Sequence, residues 1–250
     1  MEIPKNKILD FYNRFSYKLT KDLIYINRRH IKHFILLWQI FRKYEIENIL
    51  EIGTGVGVIT KFLSYKYNKI TSIDISENNI KLVNKYLPFN VSLINKSIMD
   101  YNTESKYDLI LLLDTLEHIP KTSHTKLFKK LSSIMNNNAH IILTIPNPYY
   151  TKYTINDNPK ILQVVDEMIY LDDILEICKK TNLQIDEYKH FGIDRRNQYI
   201  FYNIVKNNYN FTNLNKSETI SERIIYKLLN NRLAILLRKL YFKKRINGKL

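Results

Sequence analysis

Apolar positions along this chain switch repeatedly between two periods. Asn48–Ile52, Lys69–Asp74, Val91–Ile94 and His140–Ile145 are short β-branched runs that read as strands, and Tyr107–Leu113 is an apolar run interrupted only by Asp108. A run without alternation is what a central parallel strand buried on both faces requires. Between the strands, residues 56–67, 76–87 and 122–135 carry helical spacing, with Leu127, Leu131 and Ile134 on one side of the last. Ser76 is placed to cap the second helix and Pro88 to stop it. Strands alternating with helices at this rhythm predict a doubly wound α/β sheet whose strand C-termini share one ligand-binding edge. After residue 148 the pattern loosens into a loop with Asn156, Asp157, Asn158 and Pro159. A helix at 171–181 follows, then a hairpin of Leu183–Phe191 and Tyr199–Val205 around Gly192–Asn197.

The flanks differ from this middle. Ile31, Phe34, Ile35, Trp38 and Phe41 form an apolar stripe on a predicted helix over 28–43. Residues 206–216 read as an Asn-rich linker, and 217–242 as a helix with Ile220, Ile224, Leu228, Leu233, Leu236 and Leu240 on one side. The organisation expected is a helical lid over 1–44, a catalytic domain over 45–205, and a linker with a basic amphipathic helix over 206–250.

The chain has 250 residues, is 45% hydrophobic and 25% charged, and carries +15. That composition is globular. The charge lies entirely in the flanks: +7 over 1–44, −1 over 45–200 and +9 over 201–250. A neutral middle argues against a nucleic-acid substrate, whose enzymes carry a basic footprint near the active site. The single cysteine excludes an internal disulfide framework and any multi-cysteine metal site. The N-terminus lacks an apolar segment placed like a signal peptide, and Phe34–Trp38 is far too short to cross a bilayer. A cytoplasmic location, with or without peripheral membrane contact, is expected.

Three of the five glycines stand in one loop, Ile49-Leu-Glu-Ile-Gly-Thr-Gly-Val-Gly-Val58, between a strand and a helix. Such a loop lets the backbone approach a ligand that side chains would exclude, at the free N–H groups of a helix start. The dinucleotide fingerprint needs glycine where Val58 stands, which counts against a nicotinamide enzyme. Glu51 suits a cationic ligand group, such as the ammonium of an amino-acid-like cofactor. Asp74, at the end of the second strand, is placed to accept both hydroxyls of a ribose.

These motifs in order, ILEIGTGVG, SIDIS at 72–76, YDLILLLDTLEHIP at 107–120 and ILTIPNPYY at 142–150, resemble the class I S-adenosylmethionine-dependent methyltransferases over residues 48–148. LEHIP and TIPNP resemble the branch that includes ubiquinone-pathway O-methyltransferases. The resemblance implies a Rossmann-like seven-stranded sheet whose last strand is antiparallel, with S-adenosylmethionine as cofactor. It implies that Glu51, Gly53, Thr54, Gly55 and Gly57 hold the methionine part and Asp74 and Ile75 the ribose. Ser97 and Ile98 fall at the adenine, where relatives carry an acid; the Ser97 hydroxyl can still accept that hydrogen bond without charge assistance, and Asp100 is the alternative. Asp114 is expected at the cofactor as well.

Asp114-Thr-Leu-Glu-His118 follows the fourth strand. His118 is the candidate general base. In the alternative reading Asp114, Glu117 and His118 bind a divalent metal, as in relatives that methylate RNA 2′-hydroxyls, with Asp166 or Glu167 completing the set. In a third, Glu117 and His118 cap the loop. Phe11–Tyr17 resembles the aromatic element that relatives fold over the cofactor, and Tyr12 and Arg14 are its residues of interest. His30, His33, His124, His140 and His190 read as ordinary core or surface histidines. The function expected is methyl transfer to an oxygen, before nitrogen or carbon, of a small-molecule, glycan or lipid-linked acceptor, without a metal. The rivals are a metal-assisted RNA methyltransferase and a non-catalytic module that binds membrane or partner. The C-terminal helix is expected to pack on the domain or on a second copy, with an anionic membrane as its next occupant.

Overall fold

A computed structural model describes residues 7, 10–13, 23, 26–157, 166–207, 227, 231–233 and 236. The chain divides into two compact units, residues 1–207 and 208–250, and the sheet belongs to the first. Its described elements run α1 (Arg28–Lys43), β1 (Asn48–Ile52), α2 (Val58–Ser64), β2 (Lys69–Asp74), α3 (Glu77–Val83), β3 (Val91–Asn95), β4 (Tyr107–Leu113), α4 (Lys121–Ile134), β5 (Met135–Pro146), α5 (Pro148–Asp157), α6 (Leu171–Thr181), β6 (Leu183–Phe191) and β7 (Tyr199–Lys206). Single 3₁₀ turns, Ile98–Asp100 and Leu116–His118, follow β3 and β4. The expected linker 206–216 and helix 217–242 fall almost wholly outside the described residues, as does Arg14. Among the described residues no helix is long and apolar enough to cross a membrane.

The seven strands are ordered β3-β2-β1-β4-β5-β7-β6, with β7 antiparallel to both β5 and β6 and every other pairing parallel. The expected sheet and its antiparallel strand are therefore present. Strand order reverses between β1 and β4, and such a switch point opens a crevice at the strand C-termini. The continuous run in β4 has the expected cause. Ile110 and Leu112 pack into a core with Leu127, Leu131 and Ile174 of α4 and α6. Leu109 and Leu111 pack into a second core with Leu37 and Ile40 of α1 and Ile59 and Leu63 of α2.

Two expectations need correction. The face of α1 that is buried is His33, Leu36, Leu37 and Ile40, while Ile31, Ile35 and Trp38 of the predicted stripe are exposed. The helix is apolar on two sides, and the buried one is the side that joins the core holding Ile142 and Phe201 of the sheet. The region after residue 148 is helical through Asp157 and not a loop. Asn147 supplies the cap, its Oδ1 accepting from the Tyr149 N–H at 3.0 Å, and Pro148 takes the first turn, where a missing N–H costs nothing.

The α1 correction can be measured by urea denaturation. Leu37, with no exposed surface, should lose about 2–5 kcal/mol on replacement by alanine. Trp38→Ala, at a position 58% exposed, should stay within about 1 kcal/mol of the parent chain. The reverse ranking would show that the predicted stripe is the buried one.

Candidate functional site

The residues expected to act converge on the C-terminal edge of the sheet. The glycine loop leaves β1 with Gly53, Gly55 and Gly57 all at positive φ (82°, 55° and 76°). A Cβ on Gly53 would lie 2.5 Å from Thr115 Oγ1, and one on Gly57 2.6 Å from the Tyr86 hydroxyl. The loop is thus pressed against the start of the β4 turn on one side and the end of α3 on the other. Thr115 Oγ1 donates to the Ile52 carbonyl at 3.0 Å, and Tyr86 donates to the Val56 carbonyl. Gly53 and Thr54 N–H groups both reach the Ile73 carbonyl, at 2.8 and 3.2 Å. Thr54 Oγ1 is buried with no hydrogen-bond partner among the described residues.

Glu51 is buried beneath this loop, its Oε2 accepting from Thr60 Oγ1 at 2.5 Å and Ser72 Oγ at 2.9 Å. Burial raises its pKa, and the two hydroxyl donors only partly oppose the rise, leaving the carboxyl at about 7. Asp74 is also buried, but its donors are more numerous. Oδ2 accepts from the Gly55 N–H at 2.7 Å and Asn79 Nδ2 at 3.2 Å, and Oδ1 from the Ser76 N–H at 2.7 Å. Burial still pushes its pKa upward against those three. Asn95 Nδ2 bonds the carbonyls of Asp74 and Ile75, at 3.0 and 3.1 Å, which ties the ends of β2 and β3 together. Ser97 caps the 3₁₀ turn after β3, accepting from the Met99 N–H at 3.2 Å, while Ile98 is buried and Asp100 exposed.

Beyond β4 the chain turns at Asp114, whose φ is 52°. Its carboxylate faces three groups that motif reasoning did not single out as site residues. Arg29 Nε lies 3.1 Å from Oδ2, Thr144 Oγ1 donates to Oδ1 at 3.1 Å, and His33 Nε2 is 3.8 Å away. Arg29 also hydrogen-bonds the Tyr199 hydroxyl. His33 and His30 were expected to be ordinary histidines; both stand beside this pair and both are held neutral, chiefly by burial, His30 down to about 4. No local signal marks them, because Thr144 and His33 are 111 residues apart in sequence. Thr60 and Ser72 did leave a signal, as polar residues at inward positions of an apolar helix and strand.

Glu117 and His118 follow in the 3₁₀ turn. Glu117 is 3% exposed, and its Oε2 has no hydrogen-bond partner among the described residues. Burial pushes its carboxyl up to about 8, with His118 pulling the other way. His118 Nδ1 lies 3.2 Å from Asp166 Oδ1, and its Nε2 4.0 Å from Glu117 Oε1. Asp166, considered in the sequence only as a metal ligand, is therefore the partner of the imidazole. The backbone braces the pair, since the Glu167 N–H donates to the Glu117 carbonyl at 2.8 Å. Among the described residues no group of three or more His, Cys, Asp or Glu side chains is arranged to hold a metal ion.

Residues 5–188 match the family described as "Methyltransferase domain". The chain is 24% identical over 173 residues to a ubiquinone biosynthesis O-methyltransferase of Rickettsia felis, covering 64% of this chain and 70% of that protein. It is 24% identical over 204 residues to (S)-coclaurine N-methyltransferase of Papaver somniferum, covering 74% and 56%. Among solved structures, the magnesium protoporphyrin IX methyltransferase of Synechocystis PCC 6803 with bound SAH superposes with a TM-score of 0.64 at 15% identity, over 81% of this chain and 99% of that one.

The charge state of Glu51 gives a measurable outcome. Its folded pKa of about 7 lies above the ordinary 4.5, so the folded chain binds the proton more tightly than the unfolded chain. Stability from this group is full below pH 4.5 and is lost as pH rises through about 7. Thermal melts of the ligand-free protein should show that fall, on the order of 3 kcal/mol for such a shift. In Glu51→Gln the fall over the same window should be smaller; an equal fall would show that burial does not raise the Glu51 pKa.

Proposed function

The chain belongs to the methyltransferase domain family and is an S-adenosylmethionine-dependent methyltransferase, and on that premise we propose that it methylates an oxygen of a small-molecule, glycan or lipid-linked acceptor, with His118 as the base. The observation that carries the proposal is the 3.2 Å approach of Asp166 Oδ1 to His118 Nδ1. A carboxylate on Nδ1 selects the tautomer whose Nε2 is basic, and it stabilises the imidazolium formed when Nε2 takes a proton. A hydroxyl needs such a base during the transfer itself to become a strong nucleophile, whereas an amine needs one only to shed its ammonium proton beforehand. That difference favours oxygen over nitrogen, although relatives of both kinds are similar to this chain.

The cofactor supplies an electrophilic methyl group on a sulfonium. Glu51, Gly53, Thr54, Gly55 and Gly57 are assigned to its methionine end, Asp74 and Ile75 to the ribose, and Ser97 and Ile98 to the adenine. Two features of the loop support the fit: its left-handed glycines leave backbone open to a ligand, and the buried Thr54 hydroxyl lacks a partner among the described residues. Glu51, easily protonated when alone, would ionise beside an ammonium group. Asp114 would reach the cofactor only by yielding part of its pairing with Arg29 and Thr144. The remaining work is positional: Asp166 orients His118, and the acceptor oxygen must be held in line with the methyl group.

Tritium-labelled S-adenosylmethionine offered with small-molecule, glycan, lipid and RNA fractions tests the reading. Label should enter one of the first three, with no loss on chelation. His118→Ala should slow transfer about 10²- to 10⁴-fold while S-adenosylhomocysteine affinity, read by calorimetry, stays within about twofold of the parent, a margin set by the loss of at most one weak contact. An unchanged rate removes His118 as base. Chelator-sensitive label in RNA would replace the proposal with the metal-assisted reading.

A further inference from the structure

The short described stretch 10–13 crosses from one functional group to another. Asn13 Oδ1 accepts from Ser76 Oγ at 2.8 Å, and the Asn13 carbonyl accepts from Asn78 Nδ2 at 3.0 Å. Ser76 is buried and already engaged twice: its Oγ accepts from the Asn79 N–H at 3.3 Å as the cap of α3, and its own N–H donates to Asp74 Oδ1 at 2.7 Å. Asn13 is thus one residue removed from the carboxylate at the end of β2. Its neighbour Tyr12 lies at the other functional group, with its ring 6.1 Å from the His118 ring and inclined at 58°. Phe11 meets Tyr12 edge-on at 5.3 Å. Burial chiefly raises the pKa of the Tyr12 hydroxyl, and Asp166, Glu117 and Asp74 add to the rise.

We propose that Asn13 is a positioning residue that clasps Tyr12 across the cofactor and acceptor sites, so that cofactor exchange requires both Asn13 hydrogen bonds to break. One bond is made by the side chain and one by the backbone, and their partners, Ser76 and Asn78, lie in the first residues of α3 and its cap. Both therefore move with the start of α3, which follows Asp74 at the end of β2. A cofactor that settles Asp74 steadies Ser76, and Ser76 steadies Asn13. The acceptor half of the proposal rests on the reading of His118 given above; the cofactor half does not.

S-adenosylhomocysteine dissociation, followed by stopped-flow fluorescence on the full chain, tests the clasp. Asn13→Leu removes the side-chain acceptor, and Asn78→Ala removes the donor to the backbone from an exposed position where folding is not at risk. Each should raise the dissociation rate about three- to tenfold, as expected for one lost hydrogen bond. Asn13→Asp retains an acceptor for Ser76 and should return the rate most of the way to that of the parent. In steady state the KM for S-adenosylmethionine should rise with no fall in kcat. His118→Ala should dissociate as slowly as the parent, which separates failure of the base assignment from failure of the clasp. Dissociation within about twofold of the parent in both Asn13→Leu and Asn78→Ala, less than one hydrogen bond is worth, overturns the proposal. So does an Asn13→Asp chain as fast as Asn13→Leu, or a parent chain that takes up no S-adenosylhomocysteine.

Discussion

The carboxylate of Asp74 joins stretches of chain that would otherwise have no reason to meet. It receives the Gly55 N–H from a loop 19 residues upstream, and on its other oxygen the Ser76 N–H that begins α3. The glycine loop is thereby bent back over the end of β2, and α2 starts where that bend releases the chain. Glu51 shows what happens without backbone donors. Both carboxyls are buried at the same edge, yet Glu51 is satisfied by two hydroxyls and rises to about 7, whereas Asp74 has three N–H donors opposing its desolvation. Burial raises both acids, Asp74 against three N–H donors that also tie the glycine loop to the start of α3, and Glu51 against two hydroxyls that tie β1 to β2 and α2.

What was legible in the sequence follows from how local the cause is. Strands and most helices were readable because the alternation of periods reports burial within a few residues, and β4 could be assigned to the sheet centre because nothing but double coverage explains seven consecutive residues with so little polarity. The glycine loop, Glu51 and Asp74 were readable because their spacing along the chain is itself the constraint. The buried face of α1 was not, since a helix apolar on two sides gives no local reason to choose. That choice is made by Ile142 and Phe201, both more than 100 residues away in sequence. α5 was obscured by its polar tail, although Asn147-Pro148 carries a sound helix-start signal. Arg29, His33, Asp166 and Asn13 share the reason of α1: each meets partners that only the folded chain brings to it.

Charge at that edge also departs from what composition suggests. The +15 of the chain has little bearing on it, because the groups around His118 settle their charges among themselves. Arg29 is matched by Asp114, and burial keeps His30 and His33 uncharged. Glu117 is raised to about 8 and so is largely protonated at neutral pH. What remains is Asp166, set 3.2 Å from the His118 imidazole. An acceptor carrying a fixed anion would have to compete with Asp114 for Arg29, and one carrying a fixed cation would have to ionise Glu117 against its burial. On the proposed reading a neutral hydroxyl asks for neither, and its proton would pass to the imidazole that Asp166 faces.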